Sequence, residues 1–176
     1  MDGLIRLSGC RGVPLSRSTV SRHGVVCFEQ QIVHVVSIYG FTNAARDPRQ
    51  RESNERLLKL LFEFLAGLGD VPIIILGDFN TSPHQSVTLT NMIRCGEYFD
   101  LAEIKARAEE QPVEMTCFAK ETSQGTRIGL ALANKAMVAS CSGASVLEHA
   151  GFPVHKPLYF TINLEALQQS GHAFRL

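Results

Sequence analysis

The sequence has no excess of charge of either sign. Its 176 residues include 17 Lys and Arg and 17 Asp and Glu, so the formal net charge at pH 7 is zero. A protein with this balance has no overall basic field to hold nucleic acid. The charge is unevenly spread, because residues 1–60 carry nine basic and five acidic side chains and residues 61–176 carry eight and twelve. This offset fits either an ordinary solvated surface or a modest nucleic-acid footprint.

Long apolar runs and paired cysteines are also lacking. No run approaches the roughly 20 apolar residues needed to span a bilayer, and residues 1–11 lack the apolar stretch of a secretory signal. We therefore expect no membrane partner. The five cysteines are odd in number and none forms a Cys-x-x-Cys pair, which argues against a zinc site and a disulfide framework. Buried, reduced thiols are the expectation, and they favour an intracellular protein.

Several catalytic motifs are absent as well. The sequence contains no Gly-x-x-x-x-Gly-Lys-Ser/Thr, no His-Glu-x-x-His and no Gly-x-Ser-x-Gly. These absences set aside P-loop nucleotide hydrolases, zinc proteases of that type and hydrolases with a nucleophilic serine elbow. With 45% hydrophobic and 19% charged residues, the chain has the composition of a globular protein that can bury one core.

The most informative segment present is residues 73–80, IIILGDFN. Four consecutive apolar residues predict a strand that is buried on both faces. Alternate residues of a strand share a side, so Asp78 and Asn80 are expected to point together into a cleft beyond its carboxyl end. The alternative is an Asx turn that only closes a core strand.

The surrounding pattern predicts alternating strands and helices. Asp47 and Pro48 form a helix start, and the helix is expected to end at Gly67 or Gly69. Its apolar face is predicted to comprise Leu57, Leu61, Phe64, Leu65 and Leu68. Further helical segments are predicted over 82–94, 101–110 and 133–138, and strands over 24–28, 32–39, 71–76, 115–119, 127–133, 144–147 and 158–164. Residues 1–23 are interpreted as a loose basic leader, 24–164 as the domain and 165–176 as a C-terminal tail.

Three further segments accompany the GDFN segment: VVSIYGFTN at 35–43, TRIGLALAN at 126–134 and GFPVHKPL at 151–158. In this order the four segments resemble the endonuclease/exonuclease/phosphatase superfamily, whose members typically carry Tyr-x-Pro-Asn, Gly-Asp-Phe-Asn, Ser-Arg-Ile-Asp-Tyr and Ser-Asp-His-x-Pro. The resemblance is nearest to retrotransposon endonucleases, which accompany a reverse transcriptase. It implies a mixed α+β fold that forms part of a four-layer αββα sandwich, mainly its second half.

The resemblance also implies roles for five residues. Asp78 would be the base that aligns water, and Asn80 would orient Asp78 or contact phosphate. His155 would donate to the phosphate, while Tyr39 and Asn43 would lie on the substrate side of the cleft. Each has a simpler alternative: Tyr39 as an ordinary aromatic at a strand end, Asn43 as a turn cap and His155 as a loop residue.

The resemblance further implies a geometry. The final strand is expected beside the GDFN strand, and Tyr39 is expected to face the same cleft as Asp78. If both side chains reach one phosphate by hydrogen bonds, the side chains of Asp78 and His155 should lie roughly 4–8 Å apart.

Departures from the family pattern bear on the metal. Gly129 replaces the acid of the third motif, Val154 replaces the acid before His155, and Thr42 replaces a proline. The family's glutamate ligand belongs to an earlier strand than any in this sequence. Mg²⁺ is the cofactor that the resemblance implies, but only Asp78 is a carboxylate in a matched position. We therefore leave the metal ligands unknown, and we expect a gap beside His155 at Gly129.

The leading hypothesis is a phosphodiester or phosphomonoester hydrolase domain of nuclease ancestry, truncated and impaired. The alternative is a non-catalytic binding module with a weak phosphate cleft. Nucleic acid or a phosphorylated small molecule would be the partner. Half a sandwich would leave an apolar sheet face exposed, so self-association through that face is expected.

Overall fold

The computed structural model describes residues 22–28, 31–118, 124–147 and 154–169. Its strands in these residues are β1 (Arg22–Phe28), β2 (Gln31–Tyr39), β3 (Ile73–Asp78), β4 (Tyr98–Asp100), β5 (Gly129–Asn134), β6 (Ser145–Val146) and β7 (Leu158–Tyr159). Its helices there are α1 (Pro48–Ala66), α2 (Val87–Arg94), α3 (Leu101–Ala108), α4 (Lys135–Val138) and α5 (Leu164–Gln169), with a 3₁₀ turn over Pro83–Gln85.

The main sheet has five strands in the order β1-β2-β3-β5-β4. Among the strands that the structure describes, only β2 and β3 pair in parallel, and α1 supplies the crossover that a parallel connection needs. Ile73, Ile74 and Ile75 of β3 are all buried, so the prediction of a strand covered on both faces is confirmed. The strands predicted over 24–28 and 32–39 are found within β1 and β2, which pair antiparallel. Strands β6 and β7 form a separate two-stranded sheet.

Helix α1 begins as its sequence predicts. The Asp47 side chain accepts hydrogen bonds from the backbone N–H groups of Arg49 and Gln50, and Gly67 follows the last helical residue. The helix buries most of its predicted apolar face against the sheet, but Phe64 is 39% exposed. Phe64 was therefore assigned to the wrong side of the helix.

Both faces of the main sheet are covered near its centre. One face packs on α1 and α2. On the other, Val33, Ile74 and Ala131 lie in a cluster with Leu101 of α3 and Leu167 of α5. The expected exposed sheet face is therefore wrong for these central residues, which removes the stated basis for self-association. Leu167, which lies in the predicted C-terminal tail, is fully buried. Helices pack on both faces of the main sheet, which gives the predicted α+β fold.

Several predicted strands are shorter or pair differently. In the predicted strand 115–119, Cys117 forms only isolated bridges, to Thr126 and to His155. The final strand ends at Tyr159 and pairs with β6, whereas β3 lies between β2 and β5. The expectation that the final strand lies beside the GDFN strand is therefore wrong. The helix predicted over 82–94 is interrupted at Ser86, whose backbone is extended and whose side chain caps α2.

Some expectations fall partly outside the described residues. The predicted leader does so for residues 1–21, whereas Arg22 already belongs to β1.

Cys95 is exposed, which contradicts the expectation of buried thiols at that position. Among the described residues, no helix is long and apolar enough to cross a membrane.

Candidate active site

The parallel pairing of β2 and β3 brings two of the motif segments together. Tyr39 lies opposite Asp78 at the ends of these strands. The strands approach closely at Gly77, where an added Cβ would lie 2.0 Å from the carbonyl oxygen of Ile38. Gly77 also has a φ of +144°, so both space and backbone conformation require glycine before Asp78.

Asp78 and Asn80 form the turn that closes β3. The backbone N–H of Asn80 donates to Oδ1 of Asp78 over 2.9 Å, and its side-chain amide donates to the carbonyl of Gly40 over 3.0 Å. Asn80 has a φ of 50°, the left-handed conformation that asparagine tolerates. The Asx-turn interpretation is therefore correct as local geometry, and it leaves Oδ2 of Asp78 for another partner.

That partner is His155. Its Nδ1 lies 3.7 Å from Oδ2 of Asp78, slightly closer than the predicted separation. The segment 116–118 holds His155 in place, because Phe118 N–H donates to the carbonyl of Val154 and Lys156 N–H donates to the carbonyl of Thr116. His155 therefore reaches Asp78 from a backbone bridge, without the adjacent final strand that was expected.

Burial sets the protonation behaviour of Asp78. Loss of water around the carboxyl raises its pKa, and the hydrogen bond from Asn80 and the charge of His155 partly oppose that rise. The side chain of Asp78 is 16% exposed and that of His155 is 54% exposed. Solvent therefore weakens the ion pair, and desolvation remains the dominant effect on Asp78.

A cleft of about 780 Å³ contains all five candidate residues: Tyr39, Asn43, Asp78, Asn80 and His155. Tyr39 is 51% exposed and faces the cleft as predicted. Sequence reasoning missed Arg46, Ser82 and His84, which also line it. Ser82 and His84 lie directly after the GDFN motif, and that proximity was the signal available in the sequence.

Comparisons with known proteins identify the fold. No protein-family model and no curated protein matches the sequence. The 3′-5′ exonuclease NExo from Neisseria meningitidis is similar in structure, with a TM-score of 0.66 and 18% identity over 88% of this chain and 69% of that one. The Xenopus laevis APE2 catalytic domain is also similar in structure, with a TM-score of 0.64 and 20% identity over 82% of this chain and 55% of that one.

A third similar structure is the endonuclease domain of TRAS1, a telomere-specific non-LTR retrotransposon. It gives a TM-score of 0.61 and 15% identity over 82% of this chain and 62% of that one. The chain has the endonuclease/exonuclease/phosphatase fold. It spans between about half and just over two thirds of the length of these neighbours.

The side chain of Thr116 packs against Gly129, the residue that the sequence resemblance aligns with an acid. Gly129 lies opposite Asp78, and an added Cβ would lie 3.2 Å from Oγ1 of Thr116. The Thr116 hydroxyl accepts hydrogen bonds from the N–H groups of Gly129, over 2.8 Å, and Ile128, over 3.1 Å. The expected gap at Gly129 is therefore wrong, because Thr116 packs into it.

A buried ion pair supports the wall of the cleft that contains Ile128. Arg127 pairs with Asp100 and, over 3.2 Å, with Glu103. Asp100 is 1% exposed at its side chain and also caps α3. The carbonyl of Ile128, the residue after Arg127, accepts a hydrogen bond from the N–H of Phe79. The ion pair therefore anchors a segment that contacts the GDFN motif.

The described residues do not by themselves fit a bound Mg²⁺ ion. They contain no group of three or more His, Cys, Asp or Glu side chains that could hold a metal. Asp78 has one oxygen bound to the N–H of Asn80 and the other near His155. Mg²⁺ needs well-placed oxygen ligands in near-octahedral geometry. A single carboxylate whose oxygens already contact Asn80 and His155 does not supply such a set.

Proposed function

We propose that this chain is a nuclease-type domain whose cleft binds a phosphate ester of nucleic acid and whose hydrolytic activity is weak. The observation that carries the proposal is the approach of His155 to Asp78 within the cleft. The structural neighbours add support: NExo is described in one structure as a 3′-5′ exonuclease and in another, of a variant, as a 3′ phosphatase bound to a product DNA hairpin, and TRAS1 contributes an endonuclease domain.

Each candidate residue has a definite part in this proposal. His155, in its protonated form, donates to a non-bridging phosphate oxygen, and Tyr39 and Asn43 contact the ester from the opposite side. Oδ2 of Asp78 takes a proton from water as the water oxygen bonds to phosphorus. The ester P–O bond breaks, and the leaving oxygen takes a proton from solvent. Asn80 keeps Asp78 oriented through its backbone N–H.

The proposed weakness follows from charge. Transition states of phosphate transfer accumulate charge on oxygens that a cation normally neutralises. The described cleft offers His155 and Arg46 for this purpose, without a fitted metal site. The expectation of Mg²⁺ therefore rests on the family resemblance, and an assay with and without Mg²⁺ tests it.

Thr116 favours the second candidate function, a non-catalytic phosphate-binding module. Its side chain fills the place of a superfamily acid and satisfies two backbone N–H groups there. A cleft stabilised in this way keeps its phosphate contacts without the carboxylates that hydrolysis uses. Such a module accepts a nucleic-acid end or a phosphorylated small molecule.

The two candidates separate in one experiment. The purified chain is incubated with abasic, duplex, single-stranded and 3′-phosphorylated DNA, with Mg²⁺ or with a chelator, and binding is measured in parallel. We expect binding that His155→Gln weakens, together with slow hydrolysis that Asp78→Asn abolishes. Binding without hydrolysis above background favours the non-catalytic module instead. Asp70→Asn, a change at an exposed acid far from the cleft, is the matched control. Fast Mg²⁺-dependent turnover contradicts the proposed weakness, and absence of binding contradicts both candidates.

A further inference from the structure

Asn54 of α1 lies behind the cleft and contacts both of its central motif segments. It is 1% exposed. Its side-chain nitrogen donates to the carbonyl of Phe79 over 3.0 Å, and its side-chain oxygen accepts from the N–H of Phe41 over 2.9 Å. One buried amide therefore joins the segment after Tyr39 to the residue between Asp78 and Asn80.

Gly40 shows how tightly these segments are held together. An added Cβ at Gly40 would lie 2.2 Å from the carbonyl oxygen of Phe79 and 2.7 Å from Oδ1 of Asn54. The N–H of Gly40 donates to the carbonyl of Asp78 over 2.7 Å, and its carbonyl accepts from the side chain of Asn80 over 3.0 Å. The contact leaves no room for a side chain, so the amide of Asn54 sits at the point where the two segments meet.

Polarity makes Asn54 unusual on its helix. Its buried neighbours on α1 are apolar, with Leu57, Leu58 and Leu61 packed in the core. A buried polar side chain is costly unless it is hydrogen-bonded, and both bonds of Asn54 go to the backbone of the site segments. Replacing it with an apolar residue leaves the N–H of Phe41 and the carbonyl of Phe79 without partners.

We propose that Asn54 is a positioning residue that clamps the Phe79 carbonyl to the Phe41 amide and thereby fixes Asp78 and Asn80 in the cleft. The positioning stands on the hydrogen bonds alone. Only its consequence for ligand binding rests on the proposed function.

Asn134 provides a matched control. It is also an asparagine that ties backbone segments together, donating to the carbonyl of Val71 and accepting from the N–H groups of Ile73 and Met137. These contacts lie at the start of β3, whereas Asp78 is at its end. A loss of general stability affects both variants, and a loss of positioning affects only the Asn54 variant.

The test compares wild type, Asn54→Ala, Asn54→Asp and Asn134→Ala by amide hydrogen exchange, using Ile75 as the core reference. In Asn54→Ala, protection of the Gly40 and Asn80 amides should fall about tenfold more than that of Ile75. Asn134→Ala should show no such excess. Equal losses at all three amides in the two variants overturn the proposal.

Asn54→Asp keeps the test valid if Asn54→Ala does not fold. The aspartate retains the acceptor for the Phe41 amide and removes the donor to the Phe79 carbonyl. We expect Phe41 to stay protected while Asn80 loses protection, and an unchanged Asn80 amide overturns the proposal.

Binding of inorganic phosphate, measured on the same proteins, separates the two claims. If wild type binds, Asn54→Asp should weaken binding and Asn134→Ala should not. If wild type does not bind but the excess exchange is present, positioning holds and the proposed function fails. If wild type binds and Asn54→Asp binds equally well with no excess exchange, positioning fails and the proposed function holds.

Discussion

Nδ1 of His155 lies 3.7 Å from Oδ2 of Asp78, although the two residues are distant in the sequence and Asp78 ends a central strand of the main sheet. The other carboxylate oxygen of Asp78 accepts from the N–H of Asn80. The two oxygens therefore have different surroundings, one fixed by the backbone and one directed toward the cleft. In the proposed function, this asymmetry lets one carboxylate be both a structural acceptor and a proton acceptor.

Asp78→Asn should separate binding from hydrolysis. The amide oxygen can still accept from the N–H of Asn80, so the turn survives, but the base is lost. Removing a negative charge at about 4 Å from a phosphate is worth about 1 kcal/mol in water, roughly a fivefold gain in phosphate affinity. Isothermal titration with inorganic phosphate and an assay of residual hydrolysis check this. Weaker phosphate binding by the variant contradicts the assigned place of the phosphate.

The stability of the protein should depend on pH through Asp78. Burial raises its folded pKa above the ordinary value of 3.8, so the unfolded chain loses this proton at lower pH than the folded one. The contribution of Asp78 to the free energy of unfolding is therefore greatest below 3.8 and falls as pH rises through the folded pKa. Denaturation of wild type and Asp78→Asn across pH checks the sign. A difference that moves in favour of wild type with rising pH contradicts it.

Gly129→Asp should destabilise the protein because Thr116 occupies the space that the new side chain needs. Overpacking of this kind costs about 1–3 kcal/mol. Combining it with Thr116→Ala should recover part of that loss, which a double-mutant cycle measures as coupling between the two sites. Strict additivity contradicts the contact. Neither Gly129→Asp alone nor its combination with Val154→Asp should produce Mg²⁺-dependent turnover.

Arg127→Met should be strongly destabilising because it leaves the buried carboxylate of Asp100 without its partner. Asp100 is 1% exposed at its side chain, and breaking a buried pair from one side costs about 3–5 kcal/mol. Arg107→Met, which removes an exposed partner of Glu103, is the control and should cost under about 1 kcal/mol. Urea denaturation of both variants gives the comparison, and equal losses contradict the account of the cleft wall.

Features coded by neighbouring residues could be predicted from the sequence. Asp47 and Pro48 start α1 through local backbone hydrogen bonds and a fixed proline dihedral, and the run 73–76 is buried because it is uniformly apolar. The GDFN motif likewise identified Asp78 and Asn80 as candidate site residues. Such signals lie within a few residues of the feature they determine.

Features that depend on distant contacts could not be predicted. The side of α1 that holds Phe64 depends on how the helix rotates against the sheet. Thr116 fills the space at Gly129 only because the segment around Cys117 folds beside it. The pairing of β7 with β6 likewise depends on tertiary contacts that no local pattern encodes. Asn54 reads as an ordinary helical residue until Phe41 and Phe79 are seen on either side of it.

The central claim is that phosphate binds in the cleft beside Asp78 and His155. Titration of isotope-labelled protein with inorganic phosphate, followed by NMR, tests it most directly. The account predicts saturable shifts of the His155 ring and the Asn80 amide in wild type and a weaker shift of the Asn80 amide in His155→Gln, with the Asn134 side chain at the far end of β3 unaffected. Shifts centred on Asn134, or no saturable shift at His155 and Asn80, would contradict it.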